Sequence, residues 1–559
     1  MTTLMADFPW LTTMIVVSAL GAVVVWALPG GARRHARAVG LAVSLVVLAL
    51  GVLALLDFDT TRSATHQLGE LAPWIPALGV SWALAVDGVG LALVLLSVLL
   101  VPLVLLAAWR EHPDRAFAED GSVVEGSTAG RTADGGAAAS AGPVTGPHEP
   151  GNRLRHYVAL VLLLEAFMIA IFAARDLFLF YVVFEAMLIP VYFMIGAFGG
   201  FRRRYAAVKF LLFSLAGGLV MLVGVIALYL LGPGGADGFL IEKLVGVELP
   251  VVTERLLFLS FFLAFAIKAP MWPVHTWLPD AAEQAPAGTS VLLVGVLDKV
   301  GTFGMLTLCL PLFPEASRWA APVIIVLAVI SVLYGALLAI GQEDLMRLIA
   351  YTSVSHFGFI VLGIFAFTSV SIQGSSLYMV NHGLSTGALF LVAGFLVARR
   401  GSQRIADYGG MQRVVPVLAG TFLVAGLSAL SRPGLSTFVS EFLVLVGTYA
   451  THPAAAIVAA TGVVLAALYV LLTYQRVFTG PVRPELAAVP DLDGREKTVM
   501  GVLIGAMLVL GFYPAPALDL VREPAAQALQ LIGVTDTTAS VGVADTGAST
   551  GTTDDGSDQ

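Results

Sequence analysis

The chain has 559 residues, 58% of them hydrophobic and only 12% charged, with a formal net charge of −8. A soluble domain carries about 25% charged residues, and apolar runs long enough to cross a bilayer recur from end to end, so a soluble enzyme is excluded and a polytopic membrane protein is expected. The single cysteine, Cys309, lies inside an apolar run, which rules out a disulfide framework, a cysteine-ligated iron–sulfur cluster and a zinc ribbon.

In chain order, spans are expected at 10–28, 38–56, 81–108, 156–173, 176–198, 206–232, 255–278, 288–311, 319–341, 346–368, 374–398, 412–449, 453–475 and 498–517. The predicted fold class is all-α, with about 14 transmembrane helices. Residues 1–110 hold the first three helices. No basic stretch precedes the first span; Arg33, Arg34 and Arg37 follow it, so it is expected to stay in the mature protein. Residues 111–155, rich in Gly, Ala, Ser and Thr, read as a flexible cytoplasmic loop. The segment 412–449 is too long for one straight crossing and reads as one broken helix. A loop and the last helix fill 481–520, and 521–559 reads as a disordered acidic tail.

Orientation follows from the basic residues. With the N-terminus outside, 21 of the 30 Lys and Arg fall in cytoplasmic loops. Six fall outside: Arg62, Arg175, Lys243, Arg255, Arg318 and Arg522. Lys268, Lys299 and Arg432 lie within spans. This bias places both termini on the outer side.

Ionisable residues inside the spans are few. They include Glu165, Glu185, Lys268, Asp298 with Lys299, His356, His382 and Glu441. A charge near the bilayer centre costs about 2.5–3.5 kcal/mol, so such residues face a protein-lined interior and mark an ion or proton path. Each also has a plainer reading. Glu165 equally well hydrogen-bonds a neighbouring helix. Asp298 and Lys299 are adjacent and do not share a helix face. His356 could belong to a polar cluster with Thr352 and Ser355. For Lys268 with Glu185 the plainer reading is a buried salt bridge, which is weakly motivated because apolar replacements of such pairs are often neutral or stabilising. Lys, His and Glu in a row make proton stations; sodium or potassium wants oxygen ligands.

Two spans are interrupted by proline. In "FAIKAPMWPVHTWLPDAAEQAP", Pro270 and Pro273 cannot donate backbone hydrogen bonds and free carbonyls on the preceding turn. Irregular backbone at membrane depth is tolerated where it is buried in protein or lines a cavity. Lys268 falls at the C-terminal end of the first half-helix, where the dipole favours a cation. A second break is expected at "SRPGLSTF", with Glu441 shortly beyond. Broken segments at corresponding places point to two inverted five-helix repeats, at 156–311 and 312–480. The chain has no Walker loop, Rossmann fingerprint or HExxH motif, so energy must come from a partner or a gradient.

"FEAMLIPVYFMIG", the lysine-proline stretch above continued through "LLVGVLDKVGTFG", "YTSVSHFGF", "NHGLSTGALF" and "RPGLSTFVSEF" together resemble the antiporter-like, proton-conducting subunits of respiratory NADH–quinone oxidoreductase, complex I. The resemblance covers 156–480 closely. It implies functional roles for Glu185, Lys268, Lys299, His356, His382 and Glu441. A glutamate at position 441 resembles the M chains; L and N chains usually carry lysine there. The chain also lacks, after the fourteenth span, the long lateral helix that marks L chains. Three features depart from the family pattern: Arg432, which could pair with Glu441 or reach the outer surface, Asp298, and the 111–152 insertion.

The resemblance implies a bacterial inner-membrane subunit that holds no cofactor of its own. FMN, iron–sulfur clusters and quinone are then expected in other subunits. Its partners are the L and N chains, small membrane subunits and the lipid bilayer, with no nucleic acid. A subunit of an Mrp-type cation/proton antiporter, a membrane subunit of an energy-converting hydrogenase and a purely structural spacer are the alternatives. The implied lever is the Glu185–Lys268 pair. Moving one proton against 100 mV costs about 2.3 kcal/mol, and a two-unit swing in proton affinity supplies about 2.7 kcal/mol.

Overall fold

A computed structural model describes residues 8–110, 116–117, 123–124 and 150–536. Most of the expected loop at 111–155, and the tail from 537, lie outside the described residues. The first two helices are α1 (Trp10–Ala27) and α2 (Ala36–Asp57). The stretch expected to begin the third span at 81 is instead a strand. β1 (Gln67–Ile75) and β2 (Val80–Val86) form an antiparallel hairpin with Leu71 opposite Ala83 and Ala72 opposite Trp82. Gly79 turns the chain between them at φ 69°, a conformation that favours glycine. The helix α3 (Gly88–Ala107) starts only after Asp87, whose carboxylate accepts from the Gly90 N–H at 2.7 Å. Asp-Gly was therefore the missed start signal in an otherwise continuous apolar run.

The next helices are α4 (Pro150–Ala173), α5 (Leu177–Ala186), α6 (Leu188–Phe198), α7 (Arg203–Leu231) and the short α8 (Ile241–Leu244). α5 and α6 form one span, capped by Asp176, which accepts from the N–H groups of Phe178 and Leu179. The first broken span is α9 (Val251–Lys268) and α10 (Trp277–Gln284). Then α11 (Ala287–Leu292), α12 (Lys299–Gly304) and α13 (Leu310–Leu312) run as one crossing, joined by π-helical turns at Leu293–Leu297 and Met305–Cys309. α14 (Pro314–Ile340), α15 (Leu345–Phe365) and α16 (Ser369–Arg400) follow. The second broken span is α17 (Pro416–Ala429) and α18 (Ser436–Thr451); α19 (Pro453–Phe478), α20 (Gly494–Phe512) and α21 (Ala515–Leu531) complete the described chain.

Among the described residues eleven helices are long and apolar enough to cross a membrane unaided. The other three of the fourteen expected crossings are interrupted or charged. α9 carries Glu254, Arg255 and Lys268, α17 and α18 are halves of one span, and α20 meets α21 at a 66° bend. α21 extends through Leu531, into the stretch expected to be tail from 521. It buries Leu520, Val521, Ala525, Ala528 and Leu529 against the bundle and leaves Arg522 and Glu523 outside. Gly88 makes this docking possible, because a Cβ there would stand 1.8 Å from the Leu520 carbonyl oxygen.

Outward faces of α2, α7, α14 and α19 expose Val, Leu and Ile, as a chain in lipid requires. α15, α16 and the 287–312 crossing are buried nearly throughout. These three form the centre of the molecule, and they carry Asp298, Lys299, His356 and His382.

Candidate functional site

The site begins at the first break. Pro270 and Pro273 disrupt the regular ladder, and the Met271 N–H reaches the Ala266 carbonyl, one residue further back than helical geometry uses. The Ile267 carbonyl accepts instead from the Trp277 indole N–H at 2.9 Å. The Trp272 N–H donates to Ser331 Oγ at 2.8 Å. Lys268, fully buried, ends α9 in this setting. Its Nζ has no hydrogen-bond partner among the described residues and lies over the rings of Phe184 at 5.4 Å and Phe210 at 5.6 Å.

Glu185, near the end of α5, also leaves a buried oxygen, Oε1, without a partner. That oxygen occupies the notch over Gly218 of α7, where a Cβ would come within 1.5 Å of it. The direct buried salt bridge of the plainer reading is therefore absent. The carboxylate is drawn to the glycine notch and the ammonium to aromatic faces, so the two act on each other through space.

Glycines fasten α12 to this break. Gly301 faces the Phe265 carbonyl and the Ala269 nitrogen, and Gly304 faces the Phe265 ring. Asp298 consequently lies within electrostatic reach of Lys268. The π-turn places the Asp298 N–H on the Leu293 carbonyl. Lys299 Nζ reaches back to the Val294 carbonyl, closing the short bond Lys299 Nζ–Val294 O. A π-turn inside an α-helix is frequent at functional sites because it re-aims side chains and carbonyls. Both Asp298 carboxylate oxygens are buried without hydrogen-bond partners.

Lys299 links the 287–312 crossing to α16. Its Nζ is 2.7 Å from Nδ1 of His382 on α16. An ammonium only donates, so Nδ1 accepts, and the other ring nitrogen of His382 has no partner. Gly295 and Gly383 meet where the two helices cross; a Cβ on Gly383 would stand 2.7 Å from the Gly295 carbonyl oxygen. The His382 ring is 5.2 Å from that of His356 on α15.

His356 reads the second break. Pro433 stands four residues after Ala429 and has no N–H to offer that carbonyl. His356 Nε2 takes its place and lies 2.9 Å from the Ala429 oxygen, with the Tyr469 hydroxyl 3.4 Å away. The expected cluster with Thr352 and Ser355 does not form, since those hydroxyls donate to the carbonyls of Ile349 and Val332. Glu441, on α18, accepts from the hydroxyls of Tyr378 and Ser431, each at 2.6 Å from Oε2. Ser431 has φ +55°, inside the break.

Thus buried Lys268, Lys299, His382, His356 and Glu441 lie along one band with half-buried Glu185 at its start, and Asp298 is drawn into it. Glu165 is apart. It faces Ser18 of α1 at 2.7 Å and serves the α1–α4 contact. Arg432 is exposed, so of its two expected roles the surface one holds. Tyr378, Tyr469 and Ser431 went unrecognised in the sequence. Tyr378 had a usable signal, lying one helical turn before His382. Tyr469 had none, because only tertiary packing brings α19 to α15. At the cytoplasmic end by the expected orientation, Asp280 holds Lys209 and Arg347 at 2.6 Å each, and Glu283 holds Arg347 at 2.8 Å.

The family described as NADH:quinone oxidoreductase/Mrp antiporter, transmembrane, matches residues 174–468. NADH-quinone oxidoreductase subunit M of Mycobacterium tuberculosis is 48% identical over 546 residues, covering 96% of this chain and 97% of its own. A chain of respiratory complex I from Thermus thermophilus with bound NADH superposes with a TM-score of 0.79 at 31% identity, over 94% of this chain and 100% of that one. A chain of the Mrp complex from Dietzia sp. superposes at 0.76 with 21% identity, over 95% and 99%, a likeness of fold.

Proposed function

The chain belongs to the NADH:quinone oxidoreductase/Mrp antiporter transmembrane family, and from that premise we propose that it is the M-type proton-translocating subunit of an NADH–quinone oxidoreductase. It holds no redox centre; FMN, iron–sulfur clusters and quinone belong to other subunits. Its partners are the other membrane-arm subunits. It sits in the bacterial inner membrane with both termini on the outer side, as the distribution of Lys and Arg supports. The repeats 156–311 and 312–480 are inverted copies, each with one broken helix.

Protons pass laterally along Lys268, Lys299, His382, His356 and Glu441. The contact that carries this reading is Lys299 Nζ to His382 Nδ1 at 2.7 Å, which bridges the first repeat to the second. An ammonium beside a basic imidazole nitrogen can hand over a proton without either side chain travelling far. Glu185 is the lever. It reaches Lys268 only through space, so a small displacement of its carboxylate changes how strongly the ammonium is held.

Lys268→Ala in the assembled complex, reconstituted in proteoliposomes, tests this. Proton uptake driven by NADH oxidation falls about tenfold or more, while flavin and iron–sulfur absorbance stay with the complex. Full pumping by an assembled variant overturns the lever. Copurification without flavin or iron–sulfur absorbance would favour an antiporter of the Mrp kind.

A further inference from the structure

A cavity opens on the side of the first repeat that is outer by the orientation proposed above. His66, Asp87 and Arg175 of the outer loops stand at its mouth, and Phe180, Phe303 and Thr307 line its depth. Residues 288–312 are otherwise buried, and Thr307, in the second π-turn, alone among them is half-buried. The cavity thus reaches the crossing that carries Asp298 and Lys299.

What stands between this cavity and Lys268 is aromatic. The ring centroid of Phe180 lies 6.2 Å from that of Phe184, one turn further along α5, and 6.0 Å from that of Phe265 on α9. Phe184 and Phe265 close the triangle at 6.1 Å. All three rings are buried. Gly304 gives Phe265 its place, because a Cβ there would stand 2.4 Å from the ring. Phe184 in turn carries Lys268 Nζ at 5.4 Å from its centroid. An unbroken file of ring contacts therefore runs from the cavity to the ammonium.

We propose that Phe180, Phe184 and Phe265 form a dry seal that shuts Lys268 off from the outer cavity.

Phenyl rings offer water no hydrogen bond, and a constriction lined by them empties of water. Lys268 Nζ has three hydrogens to donate and no hydrogen-bond partner among the described residues, so it would hold any water that reached it. A water file from the outer cavity would then return to the ammonium the protons already moved outward, and the gradient would drain through the pumping path itself. The three rings take no proton. They act on the reaction by position, as the barrier that keeps Lys268 from exchanging protons with the outer side.

The inference rests on the proton-translocating reading above, and its test needs no electron transfer. The assembled complex in proteoliposomes, without NADH, receives a pH step across the membrane, and a trapped pH-sensitive dye follows its decay. Phe180→Ala speeds the decay about tenfold. Adding Lys268→Ala to it restores the parent rate, because the opened passage leads to that ammonium; a ring that only supports the fold would not make a leak depend on Lys268. Phe180→Ala vesicles as tight as the parent's overturn the seal, and so does a leak that persists in the double variant. If Phe180→Ala does not assemble, Phe180→Val removes the ring and keeps an apolar branched side chain. It leaks about threefold faster than the parent, and a tight Phe180→Val overturns the proposal equally. NADH-driven pumping by Lys268→Ala alone decides the wider reading separately: normal pumping there sinks that reading, and the seal with it, whatever the leak.

Discussion

The two broken helices look alike in sequence and differ in how each break is satisfied. In the first, the freed Ile267 carbonyl is capped by the indole of Trp277, which does not titrate, and the charge on Lys268 is left against aromatic rings. In the second, the freed Ala429 carbonyl is capped by the imidazole of His356, which does titrate, and the carboxylate of Glu441 is held by two hydroxyls. The first break thus puts backbone repair and the titratable group on separate side chains. The second ties them together, so a change of protonation at His356 is also a change at the backbone. A shared break motif therefore does not mean a shared device.

The largest effect expected from testing this comparison is at Gly218. Gly218→Ala puts a methyl group where Glu185 Oε1 now lies. The clash is with the end of a flexible side chain, so the fold survives and the carboxylate moves. Pumping by the assembled complex falls about tenfold, measured as protons per NADH oxidised. Unchanged pumping would mean that the glycine notch does not set the position of the lever.

The two caps come next. Trp277→Phe removes the indole donor and costs stability, by about 1–3 kcal/mol for the carbonyl left unpaired, while complexes that still assemble pump normally. His356→Gln keeps an N–H donor for Ala429 but cannot take a proton. Its thermal stability stays near that of the parent and its pumping collapses. The same response from both variants would erase the distinction between the breaks.

The smallest effect concerns an imidazole that caps nothing. His66, in the outer loop before β1, is pushed down to about 3 from its usual 6.5 by burial and by the charge of Arg175. Above about pH 6.5 it is neutral whether or not the loop is packed, and it has no effect. Below that the unpacked loop takes a proton that the packed one refuses until about pH 3. Packing there weakens as the pH falls below 6.5, and only modestly, because the His66 ring is partly open to solvent that screens it. Hydrogen exchange across residues 62–90 at pH 7 and pH 5 measures it, and His66→Gln removes the difference. A parent protein with no such difference would show that burial of His66 is not coupled to the outer loop.

Much of this was legible beforehand because lipid leaves few choices. An apolar run must be a helix, and a proline in that run must break it, so fourteen crossings and two interruptions follow from composition and position. The buried ionisable residues were equally visible, since hydrocarbon makes them exceptional. The strand at 80–86 escaped because buried strands and helices share apolar composition, and only the Asp87 cap marks the change. α21 escaped because its charges masked an apolar face that needs the bundle to define it.

The sequence by itself therefore determined the residues of the band, the places where the backbone breaks and the membrane setting. Hydrophobic length and the missing proline N–H act locally and need no partner. Tertiary structure alone decided the rest: Lys268 meets rings instead of a carboxylate, Lys299 crosses to His382, and Tyr378 closes on Glu441. Those outcomes depend on which glycines let helices approach and on which carbonyls remain to be satisfied, and both are settled only when distant segments come into contact.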